Sequence, residues 1–547
     1  MLRRQLNNKG EDCVLRVVNI RTAVPMKKQL EALIAKKLRC SVTDIERICI
    51  VRRSIDARRK PRIYLVFTVD VVFHNEEKVW RRCRDHKDVR KIKEDVFIPP
   101  ESGSESLLRR PVVIGMGPSG LAVALMLAQR GYKPVVFERG CDMDTRTAHV
   151  EEFWQGGAFR PDSNVQFGEG GAGTFSDGKL TTRVNHPLLR HILQTLVDAG
   201  APKEILYAYN PHVGTDILRR VVKNMRHMIE LAGGTVYFQH CVTDIKRDPS
   251  GKIRAVVING EKEYPADIVV MGIGHSARDT YYMLHDRGIA LEKKPFAVGV
   301  RIEHEQALID QSQYGCSTAE LGLEPADYAL VYHSPSGRSC YSFCMCPGGV
   351  VVGAASEEGH VVTNGMSLYR RDSGIANSAL VVNVTAEDME GDSPLAGIAF
   401  QQKYEQLAYE VGGRNYHAPA QTVGDFLQRP EKGREQSVHT YRPGITWADL
   451  HDVLPAFVTD TLAQALPYFG RRIHGFDDNN VVMTGVETRT SAPVRIVRGD
   501  DRVALRAEGL YPVGEGAGYA GGIMSAFLDG LETAIAIICK YKPLEVK

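Results

Sequence analysis

Residues Gly115-Met116-Gly117-Pro118-Ser119-Gly120 follow the apolar run Val112-Val113-Ile114 and lead into an alanine- and leucine-rich stretch, Leu121 to Gln129. A second apolar run, Pro134-Val135-Val136-Phe137, comes next and closes on Glu138 and Arg139. Three glycines at this spacing have separate physical jobs. The first permits a tight turn, the second lets backbone approach a pyrophosphate, and the third packs helix on strand. The helix N-terminus then offers unpaired N–H groups and positive partial charge to the phosphates. Glu138 is placed to accept hydrogen bonds from an adenosine ribose. Gly115, Gly117, Pro118, Ser119, Gly120, Glu138 and Arg139 are therefore expected to bind a dinucleotide.

That chemistry needs a large, ordinary scaffold, and the chain supplies one. Its 547 residues are 43% hydrophobic and 25% charged, with a net charge of +3. This is the composition of a globular protein with ample core and room for two to four domains. No apolar run reaches the roughly 18 residues that span a bilayer, and no apolar segment follows the basic start, so no membrane contact and a cytoplasmic location are expected. Eleven cysteines without a CxxC pair fit a reduced compartment better than a disulfide framework.

Two further segments bear on which dinucleotide binds. Near the C-terminus, Gly509-Leu510-Tyr511-Pro512-Val513-Gly514-Glu515-Gly516 is a short strand ending in Gly-Glu. Gly521-Gly522-Ile523 then opens a helix running to about Ile538. Upstream, Ala266 to His275 is an apolar strand ending in Gly272 and Gly274, preceded by a strand from Thr235 to Val242. In these features the chain resembles the glutathione-reductase-type FAD-binding flavoproteins. The resemblance implies FAD, with Glu515 on the ribityl chain where those proteins commonly carry Asp, and Val242 against the adenine. It also implies that the helix entering at Gly522 and Ile523 faces the flavin's pyrimidine end, where its N-terminus favours negative charge. Gly272, Gly274, Gly514, Glu515, Gly522, Ile523 and Val242 join the expected cofactor contacts. Gly272-Ile273-Gly274-His275-Ser276-Ala277, with Glu292, Lys293 and Lys294 beyond, also reads as a second nucleotide turn. NADPH or NADH is accordingly a candidate electron donor.

Between these anchors lies the densest glycine loop, Gly168 to Leu180, with five glycines in eleven positions. Such a loop costs conformational entropy and calls for close backbone approach. Gly170, Gly171, Ala172, Gly173, Thr174 and Lys179 are expected along the flavin and pyrophosphate. With Arg52 to Lys60 upstream and Glu487 to Ile496 downstream, this block resembles a family of bacterial FAD-dependent dehydrogenase-like proteins related to the BaiN/HI-type flavoproteins. The family implies a cofactor and no settled substrate.

Arg489, Thr490 and Ser491 follow an apolar strand, Val481 to Val486, that superfamily topology would deliver beside the flavin. They are the candidates for orienting substrate, since arginine can hold a carboxylate or phosphate bidentately; structural ion pairing is the competing reading. His275 is a candidate proton donor. Period-two geometry puts Cys344 and Cys346 on one face of the strand Ser339 to Cys346. They read as core hydrophobes or as flavin-facing redox thiols. A metal site including His333 has no fourth ligand at a standard spacing, and none is expected.

The expected fold is α/β: an FAD/NAD(P)-binding Rossmann-like domain with an inserted β-rich α+β domain and a small N-terminal ferredoxin-like α+β domain. The expected limits are 1–100 for the N-terminal domain, 101–110 for a linker, 111–290 and 476–547 for the FAD domain, and 291–475 for the insertion. The expected activity is hydride exchange between flavin and a small organic substrate. The first hundred residues carry 25 Lys+Arg against 13 Asp+Glu, which leaves a tRNA-modifying flavoprotein as the less favoured alternative, and a non-catalytic flavin sensor or assembly protein as a third.

Overall fold

A computed structural model describes residues 14–544 apart from 27, 93–96, 431–433 and 435–436. The chain divides into two units. The smaller holds the chain up to Ile98 together with Pro202–Pro211 and Gln313–Glu324. Its strands are β1 (Val14–Ala23), β2 (Ile45–Arg59), β3 (Arg62–Phe73) and β4 (Val89–Ile92), with helices α1 (Leu30–Leu38) and α2 (Glu76–Cys83). The sheet is antiparallel in the order β2-β3-β1-β4, which with βαββαβ succession is the ferredoxin-like arrangement. Leu15, Val17, Val69 and Val71 alternate inward and bury against Ile34 and Leu38 of α1. Arginines ride on aromatic rings in this unit: Arg21 lies 3.8 Å from the Tyr64 ring centre and Arg52 4.4 Å from that of Tyr209.

The larger unit contains two main sheets. The first has five parallel strands, in the order Leu510–Pro512, Val269–Met271, Val112–Ile114, Val135–Phe137, Thr235–Tyr237. All are three residues long, and the four other than the edge strand Thr235–Tyr237 are buried throughout, as expected of strands covered on both faces. Helices Pro118–Gln129 and Ile523–Lys540 pack on each other beside it. A three-stranded antiparallel meander, Val242–Arg247, Ile253–Ile258 and Lys262–Pro265, is inserted after the edge strand. This is the Rossmann-like α/β fold expected. The strand foreseen from Thr235 to Val242 is broken in two, because Gln239 adopts a left-handed conformation at φ 58°. Val242 instead begins the meander.

The second sheet has seven strands, centred on Phe296–Glu305, which pairs with Ile375–Val384 on one side and Val482–Glu487 on the other. Val482–Glu487 thus belongs to this sheet, so it draws on residues from both sides of position 475. Among the described residues, the turn after Gly272 leads to no separate nucleotide-binding unit. Val269–Met271 is an interior strand of the five-stranded sheet, and Glu292 and Lys293 pair in a two-stranded ladder with Val494–Ile496. Among the described residues no helix is long and apolar enough to cross a membrane.

Candidate cofactor and active site

The strand Val112–Ile114 ends where Gly115 turns at φ 87°, and helix Pro118–Gln129 begins with Gly117 at its N-cap and Pro118 in its first turn. A side chain at Gly115 would collide with the Gly272 carbonyl, and one at Gly120 with the Gly115 carbonyl. At Gly117 a β-carbon would meet nothing nearer than Gly171 Cα at 3.9 Å. So the first glycine lets the turn approach the end of the neighbouring strand, the third lets helix close on turn, and the second faces open space.

That space is a cavity of about 340 Å³. Its wall includes Gly115, Gly117, Pro118, Ser119, Glu138, Arg139, Gly171, Ala172, Gly173, Lys179, Val242, Gly272, Gly274, Glu515, Gly522 and Ile523. Arg489 and Thr490 reach the same wall. The two ends of the FAD-domain sequence therefore converge on one cavity. Five expected residues lie off it. Gly120 packs under the turn. Gly170 backs onto Thr174 and Val222, and Thr174 is fully buried with its hydroxyl lacking a partner. Gly514 lies against Ser119 and donates its N–H to Asp529 at 2.7 Å. Ser491 accepts from the Lys294 ammonium at 3.2 Å.

Glu138 is 5% exposed, and its carboxylate accepts three backbone N–H groups: Met116 at 2.8 Å, Gly140 at 2.9 Å and Gly168 at 3.0 Å. A carboxylate has about four acceptor positions, so one on Oε2 is left for a ribose hydroxyl. Glu515 is half-buried on the cavity wall. Burial pushes its carboxyl up to about 7, against the pull of the Lys294 ammonium, and the same burial lowers Lys294. Helix Ile523–Lys540 starts at the cavity, where a β-carbon at Gly522 would meet no atom.

The glycine loop is held by residues that sequence reasoning missed. Arg146 is fully buried and donates to the carbonyls of Asn164, Val165, Gly168 and Glu169, the last at 2.7 Å. Glu169, also fully buried, accepts from the Met143 N–H and from Arg226. Asp177 on the cavity wall is gripped by Arg371 through two bonds and by Ser367. Asp529, which binds the Gly514 N–H, is paired with Arg498 and Arg502. An arginine or acid on a helix surface looks solvated in sequence, and no local signal announces these partners.

The expected substrate-orienting group has other work. Arg489 gives Nε and Nη2 to Glu405 at 3.0 and 2.8 Å and Nη1 to Ser276 and Ser356. Glu405 is fully buried and also takes both forks of Arg278. The guanidinium is thus closed on the protein, and the ion-pair reading is the one the geometry supports. Thr490 exchanges two hydrogen bonds with the Ala297 backbone, so its hydroxyl is likewise occupied. His275 lines the cavity, but burial and the nearby Arg489 and Arg278 charges push its imidazole down to about 3. It is therefore neutral near pH 7, which makes it a poor general acid.

The glycine turn that opens on the cavity, the buried acid with an acceptor position to spare and the helix that starts on the cavity wall all fit an FAD. Fold and site together define a flavoprotein of the FAD-binding Rossmann-like class. Residues 295–490 match the family described as "FAD-dependent protein, C-terminal domain-like", and residues 15–72 match a domain of unknown function, DUF8436. The chain belongs to the same family as an uncharacterized protein of Clostridium beijerinckii (strain ATCC 51743 / NCIMB 8052), to which it is 48% identical over 516 residues, 94% of this chain and 96% of that one. Among solved structures it is similar to a glycerol-3-phosphate dehydrogenase from Bacillus halodurans complexed with FAD, at 12% identity and a TM-score of 0.34, covering 79% of this chain and 65% of that one. It is also similar to NikD, an amino acid oxidase of nikkomycin biosynthesis, at 14% identity and a TM-score of 0.32, covering 79% and 94%.

Proposed function

We propose that this protein is an FAD-dependent oxidoreductase that exchanges hydride with a small organic substrate beside the Gly168–Lys179 loop. One observation carries the reading: Gly117 and Glu515, from opposite ends of the domain, line one cavity. The bound flavin would supply the two-electron chemistry, and the protein the positioning and electrostatics. The Gly117 turn would bind diphosphate, Glu138 ribose, Val242 adenine and Glu515 the ribityl chain. The start of helix Ile523–Lys540 would meet the pyrimidine edge with its positive end. Arg489 and Glu405 would shape the substrate side without touching its charge. A closer kinship with the BaiN/HI-type flavoproteins is part of the same reading, as is a pyridine nucleotide, NADPH or NADH, as donor.

The test is the visible spectrum of the purified protein during anaerobic addition of NADH, NADPH and candidate metabolites. Yellow protein bleached by one of them is the expected result. Colourless protein that FAD cannot reconstitute would overturn the proposal.

A second reading, RNA modification, draws on the stacked Arg21–Tyr64 and Arg52–Tyr209 pairs of the smaller unit, since RNA bases stack on such planes. It predicts tRNA binding that weakens with salt and with Arg52→Glu.

A further inference from the structure

The strand Ser339–Cys346 does not run regularly to its end. Phe343 pairs with Ala379 and Cys346 with Asn377, so Cys344 and Met345 form a bulge. Cys344 adopts a left-handed conformation, φ 46°, which a residue with a β-carbon takes only when its surroundings hold it there. Bulges of this kind re-aim side chains and gather beside active sites. Here the bulge turns Cys344 onto the wall of the FAD cavity, which it shares with Lys179 and Ile523. Cys346 stays fully buried behind it, with its thiol donating to the Cys344 carbonyl at 3.3 Å.

Two cations are fastened to the bulge. Arg301, wholly buried, donates to the Cys344 carbonyl at 2.9 Å and is paired with Glu487. Lys179 donates to the Met345 carbonyl. Core cysteines that merely fill space have neither a strained backbone nor a pair of cations at hand.

We propose that Cys344 and Cys346 are a redox pair that exchanges two electrons with the flavin of this site, Cys344 being the sulfur that faces it. The inference rests on the FAD reading above. In the oxidising direction Cys344 reacts as thiolate and Cys346 gives up its S–H proton. An Sγ–Sγ bond forms, the two sulfurs together lose two electrons, and oxidised FAD takes them up with one proton as its anionic reduced form. In the reverse direction reduced FAD returns the pair to dithiol. Substrates are then disulfide or dithiol compounds that reach Cys344 from the cavity by thiol–disulfide exchange.

The surroundings support the assignment of roles. The Cys346 hydrogen bond, with the charges of Arg301 and Lys179, lowers the Cys344 thiol below the usual range, against burial and the Glu487 carboxylate. Cys346 moves the other way, raised by its bond to Cys344, by burial and by Asp177, with Arg301 opposing. Position assigns the roles in the same sense: Cys344 is the sulfur on the cavity wall, and Cys346 is enclosed behind it.

The test counts electrons and thiols on the FAD-loaded full chain. Anaerobic dithionite titration of air-oxidised protein should consume about four reducing equivalents per flavin, because flavin and disulfide are each two-electron couples. Cys344→Ser and Cys346→Ala should each consume about two. Peptide mass spectrometry should find Cys344 and Cys346 joined before reduction and both alkylated after it. Yellow wild-type protein that takes up about two equivalents and has both thiols alkylated from the start overturns this proposal alone. Colourless protein overturns the cofactor reading on which it rests.

Discussion

Glu138 Oε1 accepts the backbone N–H of Gly168 at 3.0 Å, joining the acid after the second Rossmann strand to the start of the glycine-rich loop. Through the same carboxylate the Met116 and Gly140 N–H groups are tied in. One side chain thus fixes three backbone segments that surround the expected ribose.

Removing that carboxylate strands three N–H donors. Each buried unsatisfied group costs about 1–3 kcal/mol, so Glu138→Ala should destabilise the protein by at least about 3 kcal/mol in denaturant unfolding. Glu138→Gln keeps one acceptor oxygen and should lose less. Both should bind FAD at least about tenfold more weakly in equilibrium dialysis. An unchanged dissociation constant in both would remove Glu138 from the cofactor site.

Glu405 is the shared anion of Arg278 and Arg489, and its carboxyl is held well below the usual range despite burial, by those two charges. Breaking a buried pair by deleting one partner typically costs about 3–5 kcal/mol. Glu405→Gln should therefore lower the melting temperature sharply. If Arg489 acts through Glu405 and not on substrate, Arg489→Met should recover part of the stability lost in Glu405→Met when the two are combined. A double-mutant cycle with no coupling energy would return Arg489 to the list of substrate ligands.

Glu303 gives a pH signature. Its Oε1 accepts from the Thr440 N–H and hydroxyl, while Oε2 is buried without a partner. Burial raises its carboxyl from 4.5 to about 7. A carboxyl raised in the folded state binds its proton more tightly there than in the unfolded chain. Its contribution is present below about 4.5 and is lost as pH climbs through about 7. Relative to wild type, Glu303→Gln should show a shallower fall in melting temperature over that window. Parallel curves would mean that Glu303 is ionised throughout.

The parts legible in sequence are those whose cause is local. The turn at Gly115–Gly120 could be read because the motif is local: Gly120 packs on the Gly115 turn, Gly117 faces the cavity, and Gly115 takes the positive φ of the tight turn, although the neighbour that crowds it is Gly272 of the adjacent strand. The start of helix Ile523–Lys540 could be read for the same reason. Val242 was reached although its strand breaks at Gln239, since the break leaves it on the cavity wall. Arg146, Glu405 and Asp529 were out of reach. Each sits on a helix whose pattern permits a solvated polar residue, and its burial is decided by carbonyls or arginines far along the chain. Arg489 shows the same limit from the other side: its type suggested a ligand clamp, and only the placement of Glu405 shows where its fork is spent. At Cys344, alternation put two thiols on one face, but a bulge is invisible to a period-two pattern.

Gly117 offers the most direct test of the central claim that the turn at Gly115–Gly120 and the Glu515 segment hold one FAD. Its φ of −75° suits any residue, and a β-carbon there meets only the Gly171 Cα at 3.9 Å, so Gly117→Val should fold like wild type. The measurement is FAD bound per chain, read from the visible spectrum after reconstitution, alongside the melting temperature of the FAD-free protein. The account predicts about one FAD in wild type, little or none in Gly117→Val, and matching FAD-free melting temperatures. Equal FAD in both proteins, or none in wild type, would contradict it.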